Sequence, residues 1–268
     1  MHQEAGDEAP VRLTAKKPLR VKGAVIGGEK PLICVPVVAE DEKSLVEQAL
    51  QNSAEGPDLI EWRADFFRGV KDVPRLRNAL GTLRGILKTI PLVFTLRSKD
   101  EGGAREIPLQ ERITLIMEAI TSNIPDIVDV ELSSGEREVR KVLGRANEKG
   151  VAVILSHHDF HNTPPAGALL EKIILAQKLG GSIAKVAVMP RAPEDVLSLF
   201  NASLKARREV DIPVIAVAMG NLGTVSRVAG CLFGSDVTFA EGALPSAPGQ
   251  IPVAELRRAM NIFLHRRS

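Results

Sequence analysis

Apolar, β-branched runs recur along the chain. They are LICVPVV (32–38), DLIEWRAD (58–65), PLVFTLRS (91–98), DIVDVELS (126–133), VAVILSHHDF (151–160), IAKVAVMP (183–190), IPVIAVAMG (212–220) and DVTFAEG (236–242). Each has the length of a buried strand. Between them lie stretches with apolar residues three and four apart, clearest in EDEKSLVEQALQN, PLQERITLIMEAITSN and GEREVRKVLGRANEKG, which predict amphipathic helices. A short helix near 223–231 fills the last gap, and VAELRRAMNIFLHRR closes the series. Strand starts are roughly 23 to 35 residues apart, the size of a strand–helix unit. Eight such units with mostly apolar strands predict an α/β fold, the closed parallel (β/α)8 or TIM barrel. The alternative is an open doubly wound sheet, which normally carries a glycine-rich turn after its first strand. VAEDEKS, after the first run, is not such a turn. Residues 11–30 alternate loosely and contain glycines, predicting a β-hairpin that plugs the N-terminal end of the barrel. The expected division is a polar tail and hairpin over 1–30, with disorder over 1–10, and one catalytic barrel over 31–268.

Composition narrows the function classes. Of 268 residues, 44 % are hydrophobic and 25 % charged, a globular profile. A net charge of +2 argues against a nucleic-acid or membrane partner, so anion recognition is expected to be local to a pocket. No apolar run is long enough for a membrane span. The N-terminus, MHQEAGDEAP, lacks the basic start and apolar centre of a signal peptide, and a cytoplasmic location is expected. Cys34 and Cys231 sit beside apolar residues and read as buried reduced thiols.

In a parallel barrel, functional groups sit at the C-terminal ends of the strands. Those ends carry Glu61 and Arg63, Arg97 with Glu101 beyond it, Asp129 and Glu131, the series Ser156 to Asp159, and Lys185. Residues i and i+2 share a face, so these charges can neutralise one another in the barrel mouth, and an Arg97–Glu131 ion pair is one such arrangement. His161 reads as a loop-packing residue. Lys185 is the anomaly, because IA precedes it and VAVM follows. An ammonium there is costly unless paired or neutralised. An apolar, crowded pocket favours the neutral amine, a nucleophile that forms a Schiff base with a carbonyl. A histidine one strand away would move protons. Lysine, histidine and arginines together suggest imine chemistry on a small anionic keto compound, with no metal required.

The order of motifs resembles the type I 3-dehydroquinate dehydratases: LIEWRAD (59–65), FTLRSKDEGG (94–103), DVELS (129–133), SHHDFHNTP (156–164), AKVAVMP (184–190), SRVAG with FGSDVTF (226–239) and SAPGQIPV (246–253). The resemblance runs from about residue 31 to the end. It implies the same barrel, no cofactor, a homodimer, and reversible dehydration of 3-dehydroquinate to 3-dehydroshikimate in aromatic amino-acid biosynthesis. By match of motifs it implies Lys185 as the Schiff-base lysine, His158 as general acid and base, and Glu101 as the carboxylate that orients it. Arg227 would bind the substrate carboxylate, a role suited to a guanidinium fork. Glu61, Arg63 and Arg97 would surround the ring hydroxyls, and Ser246 and Gln250 would lie on a loop that closes over the substrate. Pro36 stands where some members end their first strand in serine, and no fused shikimate dehydrogenase domain is expected. A class I aldolase or transaldolase remains the alternative, with GNLGTVS (220–226) offering amides to a phosphate, as does a non-catalytic binding barrel.

Overall fold

The computed structural model describes residues 12–264; the tail over 1–10 lies outside them. A two-stranded antiparallel hairpin comes first, β1 (Leu19–Val21) and β2 (Ala24–Ile26). The barrel strands are β3 (Leu32–Val37), β4 (Leu59–Arg63), β5 (Leu92–Thr95), β6 (Ile127–Glu131), β7 (Ala152–Asp159), β8 (Ile183–Val188), β9 (Val214–Ala218) and β10 (Val237–Phe239). The helices are α1 (Glu42–Ala54), α2 (Val73–Leu87), α3 (Leu109–Thr121), α4 (Glu136–Lys149), α5 (Ala166–Leu179), α6 (Pro193–Glu209), α7 (Gly220–Ala229) and α8 (Val253–Leu264). Every strand falls inside its predicted run but is shorter. Two runs end instead in single 3-10 turns, at Ala64–Phe66 and Leu132–Ser134, and a third such turn, Lys99–Glu101, follows the run at 91–98.

The strands form one parallel sheet in the order β10-β3-β4-β5-β6-β7-β8-β9. Alternation divides each strand between two cores. Ile33, Val35, Trp62, Phe94, Val128 and Leu155 face outward against the helices. Leu59, Val93, Ile127, Ile154, Ile183 and Ile215 fill the barrel's interior. Towards the C-terminal ends the inward set turns polar: Leu59 gives way to Glu61 and Arg63, Ile127 to Asp129 and Glu131, Ile154 to Ser156 and His158. An apolar floor thus carries a charged layer above it. The hairpin seals the other end, with Val21 and Ile26 joining the inner core.

The barrel departs from full closure at one seam. β9 and β10 are neighbours without a backbone ladder, because the three-residue β10 pairs only with β3. Side chains close the gap. The Val214 N–H donates to Asp236 Oδ2 (2.7 Å) and the Ala216 N–H to Ser235 Oγ (3.0 Å), while the Asp236 N–H donates to the Val214 carbonyl (2.7 Å). Asp236 is fully buried and is also paired with Arg12 and Arg207. Asp236→Ala would leave two buried guanidiniums uncompensated and the seam amide unpaired. It is expected to cost about 3–5 kcal/mol, measured by urea unfolding, with the site groups at the opposite end of the barrel untouched.

Candidate active site

Lys185 projects from β8 into the charged layer and is only 6 % exposed. Its Nζ lies 3.1 Å from Asp129 Oδ2 and 3.5 Å from Glu61 Oε1, and 4.5 Å above the Phe239 ring. The surroundings differ from the apolar pocket that the strand pattern implies. Flanking residues in a strand point the other way, so apolar sequence neighbours do not describe what a side chain meets across the barrel.

Asp129 is the hub. It accepts from Arg97 Nη2 (2.8 Å), from Ser156 Oγ (2.6 Å) and from Lys185. Burial pushes its carboxyl up, but Arg97 and Lys185 outweigh this and hold it well below the usual carboxylate range. Arg97 also donates to Glu131 (3.1 Å), the ion pair anticipated from the strand ends, and to Ser156 Oγ (2.9 Å). Burial disfavours the Arg97 cation, yet Asp129 and Glu131 raise its pKa above the ordinary value. Glu61 accepts from Thr95 Oγ1 at 2.8 Å.

Arg63 has another task. It grips Asp65 through Nε and Nη2 (both 2.9 Å) and donates to the Gly102 carbonyl (3.2 Å). It thereby anchors the turn that presents Glu101. Two glycines make that turn possible. Gly102 has φ 85°, and a Cβ there would lie 2.2 Å from the Phe160 ring, while one on Gly103 would lie 2.2 Å from the Arg97 carbonyl oxygen.

Glu101 Oε2 receives the His158 backbone N–H (2.9 Å) and faces His158 Nδ1 (3.0 Å). Strand alternation puts His158 inward with Ser156 and sends His157 to the other face. His161 lies in the loop beyond, where its carbonyl accepts from Arg191 Nε (2.7 Å). Burial, with Arg97 and Lys185 nearby, lowers the His158 pKa well below its ordinary value. Burial also pushes the Glu101 carboxyl up, to about 7, against the Ser133 hydrogen bond and Arg97. An ionised Glu101 selects the Nδ1–H tautomer, leaving the Nε2 lone pair for a substrate.

Arg227 comes from α7 and is 2 % exposed. It donates to the carbonyls of Phe239 (3.1 Å) and Pro248 (3.0 Å). No carboxylate pairs with it among the described residues, and burial pulls its pKa down to about 10. Such a guanidinium is poised for an anion. Ser246 and Gln250 lie on the loop between β10 and α8. Gln250 Oε1 accepts from the Ser246 N–H (2.7 Å) and its Nε2 donates to the Ala240 carbonyl (3.0 Å), so one amide shapes the loop. The same loop covers the start of α7, where the Gly220 N–H donates to the Pro248 carbonyl (3.1 Å). That amide is therefore already committed, which disfavours a phosphate site at GNLGTVS.

All the residues selected from the sequence line one pocket: Glu61, Arg63, Arg97, Glu101, His158, Lys185, Arg227, Ser246 and Gln250. Phe160, Ala187, Val217, Met219 and Phe239 form its apolar walls. Sequence reasoning placed Asp129 beside Glu131 in the barrel mouth from their i, i+2 spacing but did not make it the partner of Lys185. Nor did it give a role to Ser133, whose Oγ donates to Glu101 Oε1 at 2.5 Å.

The fold and site together define a (β/α)8 barrel with a lysine-centred pocket at the C-terminal ends of its strands, where such barrels carry enzyme active sites. The type I 3-dehydroquinase family model matches residues 33–266. A 3-dehydroquinate dehydratase from Geobacillus kaustophilus is 46 % identical over 92 % of this chain and 96 % of its own length. The crystal structure of 3-dehydroquinate dehydratase from the same organism superposes with a TM-score of 0.92 at 44 % identity, covering 95 % of this chain and 99 % of that one. A type I enzyme from Clostridium difficile, solved with covalently modified comenic acid, gives 0.89 at 36 % identity, covering 92 % and 98 %. The chain belongs to the type I 3-dehydroquinase family. A 3-hexulose-6-phosphate synthase, 15 % identical with a TM-score of 0.58, shares the fold alone.

Proposed function

We propose that this enzyme dehydrates 3-dehydroquinate to 3-dehydroshikimate, reversibly, through an imine on Lys185. The observation that carries the reading is the convergence in one pocket of a buried lysine, a histidine–carboxylate pair and an arginine with no carboxylate partner among the described residues. Lys185 Nζ attacks the ring ketone as the free amine, and loss of water gives the imine. His158 Nε2 takes a proton from the carbon α to the imine, and the electron pair moves into an enamine. The enamine expels the β-hydroxyl, which leaves as water with a proton returned by His158. Hydrolysis of the conjugated imine releases the enone and restores Lys185. Glu101 holds His158 in the reactive tautomer, and Arg227 receives the substrate carboxylate. Glu61, Arg63 and Arg97 support the ring hydroxyls and the pocket floor, directly or through the turn at 101–104, and Ser246 and Gln250 bring the loop over the ring. Barrel and active site form a single catalytic unit over 31–268, behind an N-terminal tail and hairpin over 1–30. The enzyme works on this small molecule as a homodimer, which the family resemblance supports, and in the cytoplasm.

The test is reduction with sodium borohydride in the presence of 3-dehydroquinate, followed by intact mass and peptide mapping. A stable adduct on Lys185 is expected. Enone formation without any adduct would exclude the imine route. Arg227→Ala is expected to raise KM about a hundredfold with a smaller change in kcat. It removes a forked, charge-assisted contact to a carboxylate present in both the bound substrate and the transition state. Steady-state kinetics followed by enone absorbance measure this.

A further inference from the structure

Glu101 uses its two oxygens differently. Oε2 serves His158 alone, through the backbone N–H and Nδ1. Oε1 accepts from Ser133 Oγ at 2.5 Å. Ser133 lies on the 3-10 turn that follows β6, one strand away from the histidine. The other charged groups around the pair are already committed. Arg97 is held by Asp129 and Glu131, Arg63 by Asp65 and the Gly102 carbonyl, and Lys185 by Asp129 and Glu61.

We propose that Ser133 is a positioning residue of this reaction: its hydroxyl holds the Glu101 carboxylate in the orientation that meets His158 Nδ1. The inference rests on the role proposed above for His158. A carboxylate pinned at one oxygen only can rotate about its last side-chain torsion, which is broad and soft. Pinned at both, it presents Oε2 to the imidazole and stays there. The serine bond also favours the ionised carboxylate. Burial opposes this and brings Glu101 to about 7. Loss of one such bond is expected to move the titration up by about one pH unit. Because Ser133 is exposed at the barrel mouth, its replacement leaves the core intact.

The experiment compares wild type, Ser133→Ala and Ser133→Thr. With 3-dehydroquinate, wild-type kcat/KM rises with pH through a midpoint near 7. In Ser133→Ala the midpoint is expected to move up by about one unit. That is a loss of about fivefold at pH 7 that fades by pH 9, and threonine restores the wild-type profile. Carbon NMR of carboxyl-labelled glutamate, assigned with Glu101→Gln, reads the same midpoint without substrate. An unmoved midpoint overturns the proposal. So does an equal loss at every pH, which is the mark of mere damage. A moved midpoint in a chain that does not turn over 3-dehydroquinate would overturn the reaction reading, and with it the role, while leaving the contact itself intact.

Discussion

Lys185→Met is expected to abolish dehydration while leaving a folded barrel. Methionine keeps the length and apolar stem of lysine and removes the amine. The two facing carboxylates do not lose all their support, since Asp129 keeps Arg97 and Ser156, and Glu61 keeps Thr95. Stability should therefore change far less than activity. Removing a covalent nucleophile costs about 10⁴-fold or more in kcat, and borohydride should trap nothing. Lys185→Arg sharpens the test. It preserves the positive charge beside Asp129 and Glu61, but a guanidinium stays protonated and forms no imine. If charge alone mattered, arginine would restore turnover. Measurable turnover well above background in either variant would refute the imine mechanism.

His158→Ala is expected to lower kcat by about 10²–10⁴-fold, the range for loss of a positioned general acid–base, with a much smaller effect on KM. The distinguishing result is that 3-dehydroquinate and borohydride still label Lys185 in this variant, because the amine and its partners are untouched. Lysine and histidine thus fail differently, one without an adduct and the other with an adduct that does not proceed. The pH dependence of the wild type follows from the same geometry. His158 is pushed well below its ordinary pKa, by burial first and then by Arg97 and Lys185, so it is neutral at pH 7, a weakened base with its Nε2 lone pair free. Glu101 is the group that titrates near 7. Its protonated fraction grows as pH falls, and the activity it supports falls with it. Because the two groups are in contact, their two macroscopic midpoints belong to the pair, and the activity follows the one near 7.

Much of the molecule was legible from the chain. The eight strand–helix units follow from local periodicity, which depends on residues a few positions apart. Alternation along a strand then decides which residues share a face. That placed Glu61 with Arg63 and Asp129 with Glu131, and it separated His157 from His158 without choosing between them. The choice of His158, and the selection of Glu101, Arg227, Ser246 and Gln250, came from resemblance to a family of known motifs. No local pattern links those residues.

Tertiary structure decided what meets across the barrel. Strand stagger sets the height of each side chain along the barrel axis, and no single strand records it. Lys185 therefore sits between two carboxylates despite its apolar sequence neighbours, and Asp129 ties β6 to β7, β8 and the segment that follows β5 through one side chain. Arg63 is turned towards the Glu101 loop, and Ser133 reaches Glu101 from the next strand's turn. The same cause produced the seam between β9 and β10, where a three-residue strand leaves Asp236 and Ser235 to complete the closure. Short-range patterning determined the units and their faces. Register and stagger, set by packing the whole sheet around one core, determined the partners.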